Sequence, residues 1–224
     1  MQGKLIIIEA GDGSGKATQT GRLYERLAAE GRKVRKVEYP NYQSASSALI
    51  KMYLSGEFGS DPNAVNPFAA SAFYAVDRYA SFKKEWETFY NEGGLVIADR
   101  YTTSNMIHQA VKISDPAERD AYLDWLWDLE FVKFGLPAPD CVFFLDMPPA
   151  YSRQLLQARP CKSEEVMQDI HERDQEYLTS CYHNAKAVAN KYKWKIIPCT
   201  EGDVIRDIDA IHEDIIRVVR SIIG

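Results

Sequence analysis

Between Lys4 and Thr20 the chain reads KLIIIEAGDGSGKATQT, and no other run limits the fold so strongly. A short apolar strand, Leu5 to Ile8, leads into Gly11, Gly13 and Gly15, then Lys16, then residues that continue as helix. That order builds a phosphate-binding loop. Glycines let backbone N–H groups turn toward phosphate oxygens, the helix N-terminus adds its positive dipole end, and the lysine reaches the outer phosphates. A bare strand–turn–helix corner has no need of three glycines and a lysine in one register. Against the pattern G-x-x-x-x-G-K-[ST], two positions depart: Ala10 replaces the first glycine and Ala17 the final hydroxyl.

A length of 224 residues suits one sizeable domain, and 46% hydrophobic content supports a packed interior. The net charge of −5 argues against a broad nucleic-acid surface and leaves room for local basic pockets that take small phosphates. Cys141, Cys161, Cys181 and Cys199 are widely spaced with no C-x-x-C pair, which reads as free thiols in a reducing compartment. The chain opens into a strand without a signal-peptide pattern, and no apolar run approaches the roughly 20 residues that span a bilayer. The expectation is a soluble, cytoplasmic protein.

Strand-like runs fall at Lys4–Glu9, Lys33–Glu38, Leu95–Asp99, Cys141–Asp146 and Lys193–Pro198. Several are almost continuously apolar or β-branched, as strands buried on both faces of a parallel sheet are. Helical stretches between them predict an α/β sheet with helices on both faces. The clearest helix spans Pro67 to Tyr90, with Asn66 as cap and Gly93-Gly94 as stop. Phe68, Ala72, Val76, Tyr79, Phe82, Trp86 and Phe89 recur every three or four residues along it and predict a buried stripe. Further helices are expected over Ala117–Phe134 and between Ser163 and Asn190. There is no internal repeat.

Ligands on such sheets bind beyond the carboxyl ends of the strands. Strand two ends at Tyr39-Pro40, strand three at Asp99-Arg100-Tyr101 and strand four at Asp146-Met147-Pro148-Pro149. An Asp beside a phosphate loop suits a magnesium ion, held directly or through water, and Asp99 is the candidate; a helix cap is its plainer role. Arg100 beside it offers a guanidinium fork for bidentate phosphate contact. Tyr74 and Arg78 lie four residues apart on one helix face, where a ring can stack a base and a guanidinium read its edge. By itself that spacing equally describes a core aromatic beside a surface arginine.

The combination of motifs resembles the thymidylate kinases, nucleoside monophosphate kinases that phosphorylate dTMP with ATP. The resemblance rests on the GDGSGKATQ loop, Tyr39-Pro40, the FYAVDR segment ending at Arg78, DRYTTSNMIHQ from Asp99, Leu129-Glu130 with GLPAPD, LDMPP, and DIHERDQEYL. It implies a three-layer α/β/α phosphate-loop fold with a five-stranded parallel sheet, a lid over about residues 153–168, and a homodimer formed through helices. It also implies that Gly11, Asp12, Gly13, Ser14, Gly15, Lys16, Ala17 and Thr18 bind ATP, with Lys16 on the β- and γ-phosphates. Arg100 would grip the acceptor phosphate, Asp99 would serve the magnesium site with Glu9 as a second candidate, and Asp12 would meet the acceptor's 3′-hydroxyl. Tyr39 belongs to the acceptor side. Tyr74 stands where the family usually stacks a phenylalanine on thymine, with Arg78 at the base edge and Ser104 and Asn105 beside it. His108 stands where an aromatic usually packs against the deoxyribose, and its plainer role is pocket wall. Glu172 matches an acidic residue near the 3′-hydroxyl.

Some members of that family carry an arginine inside the phosphate loop, where this chain has Gly13. Charge on the transferring phosphoryl is then expected from the lid, where Arg153, Arg159 and Lys162 are candidates and Arg159 the first choice. Ala17 removes a hydroxyl that ligates magnesium, and Thr18 does not replace it because the next helical residue is rotated about 100° around the axis. Two alternatives stay open at this level: a related nucleotide or deoxynucleoside kinase with another acceptor, and a non-catalytic nucleotide-binding regulator.

Overall fold

In chain order, the computed structural model describes residues 2–157 and 175–224. β1 (Lys4–Glu9) is followed by α1 (Lys16–Ala29), β2 (Val34–Glu38), α2 (Ala48–Ser55) and α3 (Pro67–Ser81). A π-helical turn over Phe82–Trp86 joins α3 to α4 (Glu87–Asn91), and β3 (Leu95–Asp99) and α5 (Thr102–His108) follow. α6 (Pro116–Trp127) also runs on into a π-helical turn, Asp128–Lys133, ahead of β4 (Cys141–Asp146) and α7 (Pro149–Gln157). α8 (Gln175–Lys191), β5 (Lys195–Pro198), a hairpin of β6 (Thr200–Glu201) and β7 (Val204–Ile205), and α9 (Ile208–Ile223) complete the described chain.

The five long strands form one parallel sheet in the order β2–β3–β1–β4–β5. Because side chains alternate across a strand, Ile6, Ile8, Ile97, Phe143 and Leu145 face α1 and α9. Leu5, Ile7, Val96, Ala98 and Val142 face the other way, against Phe82, Trp86, Tyr90 and Tyr101. The expected three-layer architecture is therefore observed. Register places Asp99 between Ile8 of β1 and Glu38 of β2, so the carboxyl ends of the three strands open onto one crevice.

Strand boundaries agree with expectation at β1, β3 and β4; β5 starts later than Lys193 because Lys193 turns the chain with φ +55°. The long helix is capped as expected, with Asn66 accepting from the Ala69 amide. Its expected buried stripe holds at Phe82 and Trp86, which are buried, and is a correction over α3. Phe68, Val76 and Tyr79 are 44%, 49% and 41% exposed, while Ser71, Ala75, Asp77, Arg78 and Ser81 are buried. Periodicity finds the stripe correctly, but this helix turns its polar face inward. That face meets a hydrogen-bonded site, and Phe68, Val76 and Tyr79 of the stripe are left at the surface.

Candidate active site

The phosphate loop closes where β1 ends. Gly15, with φ +79°, starts α1 in a left-handed turn, and Gly13 has φ +78°. Only glycine adopts this backbone at low cost. A Cβ on Gly13 would also meet the Ser152 carbonyl oxygen and Leu156 Cγ, each at 2.6 Å, because α7 packs on the loop. No side-chain stem fits there in this arrangement, so the close approach of α7 requires a glycine. Ser14 Oγ is buried with no hydrogen-bond partner among the described residues. An unpartnered hydroxyl inside a glycine loop at a helix N-terminus fits a phosphate oxygen.

Lys16 Nζ reaches 2.6 Å from Asp99 Oδ1, and both side chains are largely shielded. Arg100 sits next in sequence with φ +66°, a conformation uncommon for arginine and concentrated at functional sites. Its Nη2 donates to Asp12 Oδ1, and its Nη1 lies 3.2 Å from His108 Nε2. Burial opposes ionisation of Asp12, but Arg100, His108 and Lys16 outweigh it and hold the carboxyl near 2. Burial would likewise lower Arg100, yet Asp12, Glu9 and Asp99 raise it. Glu9 is fully buried. It accepts from Thr103 Oγ1 at 2.6 Å, Ser104 Oγ at 2.8 Å and the Tyr101 amide at 3.3 Å. Burial nonetheless raises its pKa.

A cavity of about 270 Å³ opens in front of these groups. Asp12, Lys16, Asp99 and Arg100 line one end, and Tyr39, Tyr74, Arg78, Asn105 and His108 line the rest. Arg78 is 1% exposed and Glu130, which pairs with it, is 0% exposed. The Tyr39 hydroxyl accepts from Trp86 Nε1 at 3.0 Å and donates to Ser81 at 3.2 Å, so Tyr39 offers the cavity its ring; burial pushes its phenol to about 12.

The structure thus gathers Asp12, Lys16, Tyr39, Tyr74, Arg78, Asp99, Arg100, Ser104, Asn105 and His108 around one cavity. Glu9 lies beneath it, committed to Thr103 and Ser104. Arg159, Lys162 and Glu172 lie outside the described residues. Arg153 is on α7, within reach of Gln175 at 3.1 Å. Asp146, at the end of β4, is taken up by Tyr182 at 2.6 Å and Lys186 at 3.0 Å and serves to hold α8. Two residues near the cavity, Glu130 and Asp77, fall inside the quoted Leu129-Glu130 and FYAVDR segments without a role assigned to either. Glu130 reads as one more acidic residue on a polar helix, and Asp77 as surface. Asp77 in fact accepts from the Asn41 amide at 2.8 Å and Ser46 Oγ at 2.6 Å, fastening the loop after β2.

The family model described as thymidylate kinase matches residues 8–215. The chain belongs to the thymidylate kinase family. It is similar to the thymidylate kinase of Mycobacterium tuberculosis, 31% identical over 173 residues, covering 77% of this chain and 79% of the relative. It is also similar to the human thymidylate kinase, 26% identical over 216 residues, covering 96% and 88%. Among solved structures, thymidylate kinase from Candida albicans matches with a TM-score of 0.70 at 20% identity, covering 98% of this chain and 92% of that one. As a thymidylate kinase the chain is an ATP-dependent nucleoside monophosphate kinase acting on dTMP.

Proposed function

We propose that the cavity holds dTMP with its phosphate against Arg100 and its base between Tyr74 and Arg78, while Lys16 holds the β- and γ-phosphates of ATP. The observation that carries this reading is the convergence of Lys16, Arg100 and Arg78 on one cavity, with a carboxylate already paired to each. Asp99 and Asp12 hold the two cations that face phosphate, and incoming phosphate oxygens replace those carboxylates at short range. Arg78 differs, because its partner Glu130 lies behind it and leaves its front to the base. An arginine only donates, so it suits the carbonyl edge of thymine.

Phosphoryl transfer asks for positioning and charge stabilisation more than for covalent chemistry. The acceptor phosphate is itself an anion, so no general base is required. Asp12 stays ionised throughout the working range and is placed to accept from the 3′-hydroxyl. His108 packs beside the sugar, and Glu172 is assigned to the same hydroxyl. Magnesium, when bound with ATP, would supply charge neutralisation at the phosphates. Asp99 is the residue assigned to it, directly or through water, since Ala17 brings no hydroxyl and Glu9 is committed to its own hydrogen bonds. Arg159 is assigned to the transferring phosphoryl.

The exposed stripe of Phe68, Val76 and Tyr79 supports a homodimer through α3. Trp127 and Val132 are exposed as well. A cytoplasmic location suits the free, buried thiols of Cys141, Cys181 and Cys199. The test of the reading is ADP release from ATP and magnesium on addition of dTMP. Release that persists in Arg100→Ala at normal dTMP affinity would remove Arg100 from the acceptor phosphate.

A further inference from the structure

We infer that Glu130 sets the discrimination between a carbonyl and an amino group on the acceptor base, acting through Arg78. The inference rests on the acceptor reading above. Arg78 has five N–H donors. Glu130 takes Nε through Oε2 at 2.6 Å and one Nη2 hydrogen through Oε1 at 2.5 Å, a two-pronged grip. Asn105 Oδ1 takes the other Nη2 hydrogen at 2.8 Å, and the Tyr101 carbonyl receives Nη1 at 3.4 Å. Among the described residues one Nη1 hydrogen is left over, and Arg78 lines the cavity.

Glu130 itself is aligned. Thr102 Oγ1 donates to its Oε2 at 2.6 Å, so the carboxylate has no freedom to swing. Asn105 is aligned from the far side, its Nδ2 donating to Ser71 Oγ at 3.1 Å, which in turn meets the Tyr122 hydroxyl at 2.6 Å. Glu130 does not line the cavity. It is a positioning residue, and the π-helical turn Asp128–Lys133 brings it inside. Its charge matters as much as its geometry. Balanced by Glu130, the guanidinium presents a directed donor; unbalanced, it would be a buried cation that takes any acceptor in any pose. A directed donor meets thymine's carbonyl and leaves cytosine's amino group facing it without a partner, which is how a polar site rejects a near-isostere.

Glu130→Gln keeps the size, removes the charge and turns an amide N–H₂ toward an Arg78 donor. Initial rates with dTMP and dCMP should show KM for dTMP up by about tenfold or more, kcat within about threefold, and the dTMP-to-dCMP ratio of kcat/KM down by about tenfold or more. Glu130→Asp keeps the charge and should restore part of that ratio. Thr102→Val, which loosens Glu130 by a single hydrogen bond, should raise the dTMP KM by about two- to fivefold. A wild-type enzyme selective for dTMP whose ratio is unchanged in Glu130→Gln overturns the inference and leaves the acceptor reading standing. Loss of folded protein in Glu130→Gln moves the decision to Thr102→Val, where unchanged dTMP kinetics overturn it. A wild type that uses dCMP as readily as dTMP overturns the acceptor reading first.

Discussion

Helix α7 sets the carbonyl oxygen of Ser152 so close to Gly13 that a Cβ there would lie 2.6 Å from it. α7 and the phosphate loop are therefore packed as one unit. Gly13→Ala must both enter a left-handed backbone, at about 1–2 kcal/mol, and push α7 away. Chemical denaturation should show at least that loss, with turnover reduced. Gly13→Arg should behave no better. A stable, fully active Gly13→Arg would show that α7 yields readily and that the contact has no consequence.

Lys16 and Asp99 are paired at 2.6 Å with little exposure, so Lys16→Ala acts twice. Removing the lysine leaves Asp99 without its charge partner, for which a loss of about 1–3 kcal/mol in urea denaturation is expected. Turnover should fall by about a hundredfold or more, as loss of transition-state charge stabilisation does. Near-normal turnover in folded Lys16→Ala would refute its role at the phosphates.

Asp12 makes its own prediction in acid. Its carboxyl is held near 2, below the ordinary 3.8, because Arg100, His108 and Lys16 outweigh its burial. A depressed carboxylate contributes stability that is complete above the unfolded pKa and is lost as pH falls through the folded one. The stability difference between wild type and Asp12→Asn should be flat above about pH 5 and shrink between about pH 4 and pH 2. A difference that stays constant to pH 2 would mean that Asp12 and Arg100 are not coupled in solution.

Much of this was legible in the chain because buried parallel strands and a glycine-rich loop leave strong local signals. β1, β3 and β4 are read to the residue from their apolar runs. The stripe Phe68, Val76, Tyr79 was equally visible, yet its direction was not, since periodicity says which residues share a face and not what covers that face. Glu130 stood out within the Leu129-Glu130 motif, but its role was illegible for a related reason. Its burial depends on Arg78, 52 positions away, and a π-helical turn shifts it out of simple α-helical register. Lys16, Arg100 and Arg78 could be named from motifs, but their carboxylate partners emerged only when the sheet brought distant segments together.

Arg159 is assigned to the transferring phosphoryl because Gly13 gives the loop no second cation beside Lys16. A guanidinium that acts on the transition state more than on the ground state should lower kcat and leave acceptor KM nearly unchanged. Arg159→Ala should cost about two to four powers of ten in kcat, on the scale of arginine fingers. Arg153→Ala and Lys162→Ala should cost less. If Arg153 is the expensive one, the cation comes from α7, and if all three are silent the charge is met elsewhere.

The central claim is that this cavity takes a pyrimidine deoxynucleoside monophosphate, dTMP first, and passes it a phosphoryl group from ATP. The direct measurement is ADP release from ATP and magnesium with dTMP, dUMP, dGMP, dCMP, UMP and thymidine in parallel. The highest kcat/KM is expected for dTMP, a lower value for dUMP, and little with dCMP or with thymidine, which lacks the phosphate assigned to Arg100. Equal use of dCMP and dTMP, or no ADP release with any acceptor, would contradict it.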